Sequence, residues 1–234
     1  MQAEQFTKAV KNEVNFNKTF NKIFCVGANK TGTTTLEFIL KTLGFSLGDQ
    51  LTQEARLTRQ VLEGNYTDFY TFCSHFDAFQ DLPFSKDEVY IAADVLFPGS
   101  KFILTERPAE SWFNSMYNFH KKVFSIDDMN ILTEKDVLEK FMPHIPGLSH
   151  YLITKSLAKF EGQTPTVMWD KLYDKDTYIA HYEQRNERIK KYFMNRPDDF
   201  LTLDITQEKT TNKICKFLGV PEKFVFDMPH INKT

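Results

Sequence analysis

The sequence predicts an α/β domain built on a parallel β-sheet, and three observations carry that expectation. Short continuous apolar runs alternate along the chain with longer stretches whose apolar residues recur at helical spacing. Each run of strand character is separated from the next by a helix, so the connections should be right-handed crossovers and the strands parallel. A glycine-containing segment, Gly27-Ala-Asn-Lys-Thr-Gly-Thr-Thr-Thr35, joins the first such run directly to a helix. The 234 residues fit one sizeable domain, 1–234, without an internal repeat or a Ser/Gly linker.

Taken in order, residues 1–20 are compatible with an N-terminal helix. Lys22-Ile-Phe-Cys-Val-Gly27 is an apolar run ended by glycine, as a buried parallel strand would be. Leu36, Ile39, Leu40 and Leu43 mark a helix over about 33–43, stopped by Gly44. Residues 52–74 look helical, and Phe76 to Phe79 reads as a short strand. Ser85 opens a helix carrying Val89, Ala92, Ala93 and Leu96, ended by Pro98-Gly99. Lys101-Phe-Ile-Leu-Thr105 is a clear strand, and Glu110 to Phe124 is an aromatic-rich helix with Pro108 near its start. The region 121–176 reads as a mostly helical insert interrupted by Pro143, Pro146 and Gly147. His181 to Phe193 is a helix, Phe200-Leu-Thr-Leu-Asp204 a strand, and Gln207 to Leu218 the last strong helix, closed by Gly219.

Composition removes several function classes. With 29 Lys+Arg against 31 Asp+Glu the formal charge is −2, without the basic footprint of a nucleic-acid binder. No apolar run approaches the ~18 residues needed to span a bilayer, and no h-region stands near the start, so the expectation is a cytoplasmic protein without a membrane span. Cys25, Cys73 and Cys215 form neither a zinc spacing nor an even disulfide set, and are expected to be small buried hydrophobes. The 23 Phe and 9 Tyr are mostly core, with a few left to line an apolar or sugar-stacking pocket.

The segment 27–35 carries the chemistry. Between a strand and a helix N-terminus, its backbone N–H groups converge on one spot and favour an anion such as phosphate. Thr33, Thr34 and Thr35 add hydroxyl donors. A plain strand-to-helix turn is the alternative reading. Gly27 and Gly32 have the spacing of the GxxxxGK[ST] nucleotide loop, but Thr33 stands where a nucleoside triphosphatase needs Lys. The loop's lysine is Lys30, two residues before the second glycine. Such a loop suits a nucleotide whose transferred group sits on a 5′-phosphate.

Cys25-Val-Gly-Ala-Asn-Lys-Thr-Gly-Thr-Thr-Thr-Leu36 resembles the phosphosulfate loop of sulfotransferases, which use 3′-phosphoadenosine 5′-phosphosulfate (PAPS) and release 3′-phosphoadenosine 5′-phosphate (PAP). Asn29 replaces the usual Pro or Arg before the Lys. That family anchors the 3′-phosphate with an Arg after a later strand and a Ser eight residues on, and Glu106-Arg107-Pro108 with Ser115 has that spacing. The planar fork of Arg suits a phosphate. An Arg in a surface salt bridge is the more ordinary reading of that residue taken alone. Arg196-Pro-Asp-Asp-Phe-Leu-Thr-Leu-Asp204, Cys215-Lys-Phe-Leu-Gly-Val-Pro221 and Met228-Pro-His-Ile-Asn232 also look like the end of a sulfotransferase domain. The likeness covers about 22–48, 76–120 and 178–232. The glycine-rich C-terminal nucleotide loop of the steroid and phenol enzymes is absent, so the resemblance is to the broader superfamily.

The resemblance implies a three-layer α/β/α fold related to the P-loop kinases, with four or five parallel strands and the donor at their C-terminal ends. It implies that Lys30, Thr31, Gly32, Thr33, Thr34 and Thr35 hold the 5′-phosphosulfate, that Lys30 stabilises the leaving phosphate, and that Arg107 and Ser115 hold the 3′-phosphate. No metal is required in that family. The base is expected after a middle strand; Asp81, before Leu82-Pro83, is the choice, with His75 and Asp77 as rivals and an N-cap role as its plainer alternative. His120 reads as an ordinary surface residue. The expected partner is a small-molecule or carbohydrate acceptor, met by the 121–176 insert. An ATP-dependent small-molecule kinase and an inactive nucleotide-binding homologue remain as alternatives.

Overall fold

Alternate residues of a strand face opposite sides of a sheet, and this rule divides the core of the protein in two. The computed structural model describes residues 2–49, 53–140, 157–161, 164–229 and 231. In chain order the elements are α1 (Gln2–Asn17), β1 (Ile23–Cys25), α2 (Thr33–Thr42), α3 (Thr58–Leu62), α4 (Thr67–Ser74), β2 (Ala78–Phe79), α5 (Val89–Leu96), β3 (Lys101–Thr105), α6 (Ala109–Phe124), α7 (Glu134–Lys140), β4 (Ala158–Glu161), β5 (Thr164–Val167), α8 (Lys175–Phe193), β6 (Phe200–Leu203) and α9 (Asn212–Phe217). The main sheet has the order β2-β1-β3-β6. All its pairs are parallel, in the register Ile23 with Ala78 and Lys101, and Phe102 with Phe200.

On one face, Ile23, Cys25, Ala78, Ile103 and Leu203 pack against α1, α2 and α9 through Val10, Leu36, Ile39 and Ile214. On the other, Phe24, Val26, Phe79, Phe102 and Leu104 pack against α3, α4, α5 and α8 through Val61, Phe69, Val89 and Phe193. That second layer absorbs much of the phenylalanine content: the Phe24 ring stacks on Phe79 at 5.2 Å and on Phe102 at 5.5 Å. The result is the expected three-layer α/β/α arrangement with four parallel strands. The three cysteines are free and buried.

The structure adds one element and corrects three expectations. Beside α7, the described part of 121–176 also holds an antiparallel hairpin, β4 with β5, pairing Ala158 with Val167 and Phe160 with Pro165. Proline in a run argues against a central strand, but each strand of a two-stranded hairpin is an edge and tolerates it. Residues 141–156, with Pro143, Pro146 and Gly147, lie outside the described residues, as do His230 and Asn232. The last helix is limited to Asn212–Phe217 because the chain before it is used elsewhere. Asp204 Oδ1 accepts from the Thr206 N–H at 2.9 Å, and Thr210 bridges to Asp227. Ser85 opens a turn rather than a helix, its N–H donating to the Asp81 carbonyl at 2.8 Å, and α5 begins at Val89. In the other direction, α8 starts earlier than expected, at Lys175, where the Asp174 carboxylate accepts from the Thr177 N–H at 3.2 Å.

Parallel strands end together. The chain leaving β1, β2, β3 and β6 at their C-terminal ends therefore brings Gly27, Asp81, Arg107 and Ile205 to one edge of the sheet, where open α/β sheets place their ligands.

Candidate active site

The 27–35 loop is shaped by close approach to β3. A Cβ at Gly27 would lie 2.0 Å from Thr105 Oγ1 and 2.6 Å from the Thr105 carbonyl, so only glycine fits. Thr31 is fully buried; its hydroxyl donates to the Ala28 carbonyl at 2.6 Å and shares a 2.6 Å bond with Thr105 Oγ1. Two left-handed residues, Lys30 (φ +72°) and Gly32 (φ +97°), turn the chain into α2. Gly32 caps that helix without any side-chain hydrogen bond to its first-turn amides. Those amides have no partner inside a helix, so they face outward as donors with the positive end of the helix dipole behind them. Thr33 and Thr35 are buried and Thr34 is exposed. Gly27→Ala is expected to cost at least about 1–3 kcal/mol in a chemical denaturation experiment, because the obstruction is strand backbone rather than a flexible side-chain tip.

Lys30 is half-buried, its ammonium 4.5 Å from the centre of the Phe119 ring. Burial lowers its pKa, with Asp81 opposing and Lys122 and Arg107 adding to the fall. Asp81 follows β2 in a left-handed conformation (φ +64°). Its carboxylate accepts from the Asn29 side-chain amide and from the Leu82 N–H. Burial, reinforced by the charge of Glu54, pushes it up to about 6, against the opposing pull of Lys86 and those two hydrogen bonds. Lys30 and Asp81 thus interact through their charges, and Asn29, next to Lys30 in the chain, holds the Asp81 carboxylate.

Arg107 leaves the end of β3 and reaches back to the loop. Its Nη1 donates to the Lys30 carbonyl at 3.2 Å and its Nη2 to Ser111 Oγ at 2.5 Å, while Nε is buried without a partner. The guanidinium thus meets Ser111, one turn of α6 before Ser115; Ser115 lies half-buried on the next turn of the same face. Tyr182 of α8 clamps the Arg107 backbone, its hydroxyl accepting from the N–H and donating to the carbonyl, each at 3.1 Å. The Tyr182 ring stacks on Trp112 at 4.3 Å, and Trp112 Nε1 donates to the Asn29 carbonyl at 3.1 Å.

The rivals for Asp81 sit elsewhere. Asp77 precedes β2, at the opposite end of the sheet. Burial alone would raise its pKa, but Lys18 at 2.8 Å and the Ser46 hydroxyl and N–H hold it down, to about 2. His75 is exposed at the end of α4, Nδ1 against the Thr71 carbonyl. His120 is not the surface residue the sequence suggested. It is half-buried on α6, its Nδ1 is 2.7 Å from the Tyr173 hydroxyl, and burial, with Lys86 and Lys30 nearby, pushes its pKa down to about 3. Its imidazole is therefore neutral at ordinary pH.

Sequence reasoning missed Asn29, Ser111, Trp112 and Tyr182 as parts of this site. Asn29 had only the signal of being an unusual residue in the loop; its side chain spans Asp81 and Ser85, the Ser85 hydroxyl donating to its Oδ1 at 2.8 Å. Ser111 had a findable one, the i, i+4 distance from Arg107 at the start of a helix. A family model described as a sulfotransferase domain matches residues 22–234. No curated protein matches the chain.

Proposed function

Because the chain belongs to the sulfotransferase family, we propose that it transfers a sulfuryl group from PAPS to a hydroxyl or amine of a small-molecule or carbohydrate acceptor, with Asp81 as general base. One observation carries the reading of the donor: Arg107 is bonded to the Lys30 carbonyl, so a phosphate anchor and the anion-binding loop form one unit. The residues fit that donor. The uncapped amides of α2 suit a 5′-phosphosulfate, and the buried, unpartnered Nε of Arg107 is a donor awaiting an acceptor oxygen. When bound, PAPS supplies an activated sulfuryl group on its 5′-phosphate.

The chain's own residues divide the work. Lys30, Thr31, Gly32, Thr33, Thr34 and Thr35 hold the phosphosulfate end, the amides of α2 and the Lys30 ammonium countering charge that grows on the leaving phosphate. Arg107, with Ser111 and Ser115 along α6, holds the 3′-phosphate. Asp81 takes the proton of the attacking acceptor group, a task suited to a carboxylate poised near neutrality. The hairpin and α7, joined through Phe124, Val137 and Leu157, stand on the acceptor side. Among the described residues no helix is long and apolar enough to cross a membrane. A cytoplasmic enzyme acting on a diffusible acceptor is the setting we propose.

Calorimetric titration with PAP, ADP and Mg-ATP tests the donor assignment. PAP should bind at least tenfold more tightly than ADP, which lacks the 3′-phosphate that Arg107 would hold. Equal affinity for PAP and ADP overturns that assignment. Preference for Mg-ATP moves the protein to a kinase, and binding of none moves it to an inactive homologue.

A further inference from the structure

Arg185 lies on α8 one turn beyond Tyr182, in the inward stripe formed with Asn186 and Ile189. Its Nε, Nη1 and Nη2 are all buried and have no hydrogen-bond partner. A guanidinium carries five donors that cannot be neutralised, so leaving it dry and unpaired is costly unless something else satisfies it. Nearby arginines behave otherwise: Arg196 forks Asp94 at 3.0 and 2.7 Å, and Arg188 pairs with Glu88 at 3.5 Å. The carboxylate whose charge acts most on Arg185 is that of Asp87, yet the two form no ion pair within 4 Å, and Asp87 Oδ2 is itself buried without a partner.

Lys86, next to Asp87 in the turn before α5, also makes no ion pair among the described residues, and its charge is felt by Arg185, Asp81 and His120. Burial and Arg185 lower the Lys86 pKa, and burial pushes Arg185 down to about 10. Two half-buried cations, one acting on the other through its charge and neither in an ion pair among the described residues, are what a bound anion would reconcile.

We propose that Lys86 and Arg185 recognise an anionic substituent of the acceptor, a carboxylate, sulfate or phosphate ester, and so orient its nucleophile toward Asp81. The inference rests on the sulfuryl-transfer reading above. The position of Lys86 beside Asp81 and His120 favours the acceptor as the source of the anion. A phosphate of the donor has the same chemistry, and the test separates the two.

Sodium sulfate is titrated at constant ionic strength into PAP-saturated wild type, Arg185→Met, Arg185→Gln and Lys86→Met, following the thermal midpoint, with PAP affinity measured by calorimetry. The general stabilising effect of sulfate is common to all four proteins, so the difference between them is the readout. The wild-type midpoint should rise, the variants should lose at least half of that rise, and PAP affinity should stay within twofold. Without sulfate, Arg185→Met should melt no lower than wild type, since it removes an unsatisfied buried charge. A tenfold loss of PAP affinity in the Arg185 variants overturns the proposal and assigns the guanidinium to the donor. An undiminished sulfate response, a wild type that does not respond, or a lower sulfate-free midpoint in both Arg185 variants also overturns it, the last by making Arg185 a structural partner of Asp87. Failure of wild type to bind PAP refutes the donor reading alone; the sulfate comparison, run without PAP, still decides the role of Arg185.

Discussion

Asp81→Asn is expected to lower turnover by roughly 100- to 10,000-fold, the range supplied by a positioned general base, while PAP binds within about twofold of wild type. Asparagine keeps the oxygen that accepts from Asn29 and Leu82 and loses only the capacity to take a proton. The pH profile makes the assignment specific. A base must be ionised, so kcat/KM in wild type should climb as pH rises through about 6 and level off above it, and the climb should disappear in the variant. Stability should move the other way. A carboxyl whose folded pKa is raised favours the protonated folded state, so its stabilising contribution is complete below about 4 and is lost as pH rises through 6. At pH 8 the variant, with nothing to ionise, should melt no lower than wild type. Lost turnover with retained stability and donor affinity identifies the base. Turnover that survives places the base elsewhere, and the neutral His120 imidazole, close to Lys30, is then the group to substitute.

Arg107→Ala should weaken PAP binding by about 2–3 kcal/mol, the scale of charge-assisted hydrogen bonds lost at a buried site. At 1.4 kcal/mol per factor of ten this is roughly a 30- to 150-fold rise in Kd. The affinity for ADP should change much less, since the 3′-phosphate is the group Arg107 is argued to hold. Arg107→Lys should recover only part of the loss, because an ammonium supplies the charge but not the fork. Equal losses for PAP and ADP would mean that Arg107 acts by holding the loop through the Lys30 carbonyl, not by touching the 3′-phosphate.

The sheet was legible because buried parallel strands leave short segments rich in large apolar residues: Ile23–Cys25 of β1, Phe102, Ile103 and Leu104 within β3, and Phe200, Leu201 and Leu203 of β6. Two-residue β2 was found from a weaker form of that signal, Phe76 to Phe79 with Asp77 inside it. The hairpin was not, since Pro165 and short polar strands give no such run, and its stability comes from pairing with a strand that is itself hard to see. Residues 207–211 have helical composition, but their partners, Asp204 and the segment around Phe226 and Asp227, lie on both sides of them in the chain and win the competition for their backbone. Within the site, the loop, Asp81 and Arg107 could be placed by position after a strand. Asn29, Trp112 and Tyr182 could not, because their roles come from contacts across 52, 83 and 75 residues of chain. The burial of His120 was hidden for the same reason: Tyr173, which covers it, is 53 residues away.

Asp81, Asn29, Trp112, Tyr182 and Arg107 form a single series of contacts from one end of the site to the other. Effects of substitution along such a series do not add. Removing an interior link, Asn29, Trp112 or Tyr182, reaches both Asp81 and Arg107, whereas Asp81→Asn keeps the hydrogen bond to Asn29 and leaves the series whole. On the reading proposed above, acceptor preference is set by parts outside the series, the turn around Lys86 and the layer of α7, β4 and β5. One unchanged frame would then serve whichever molecule that outer layer admits.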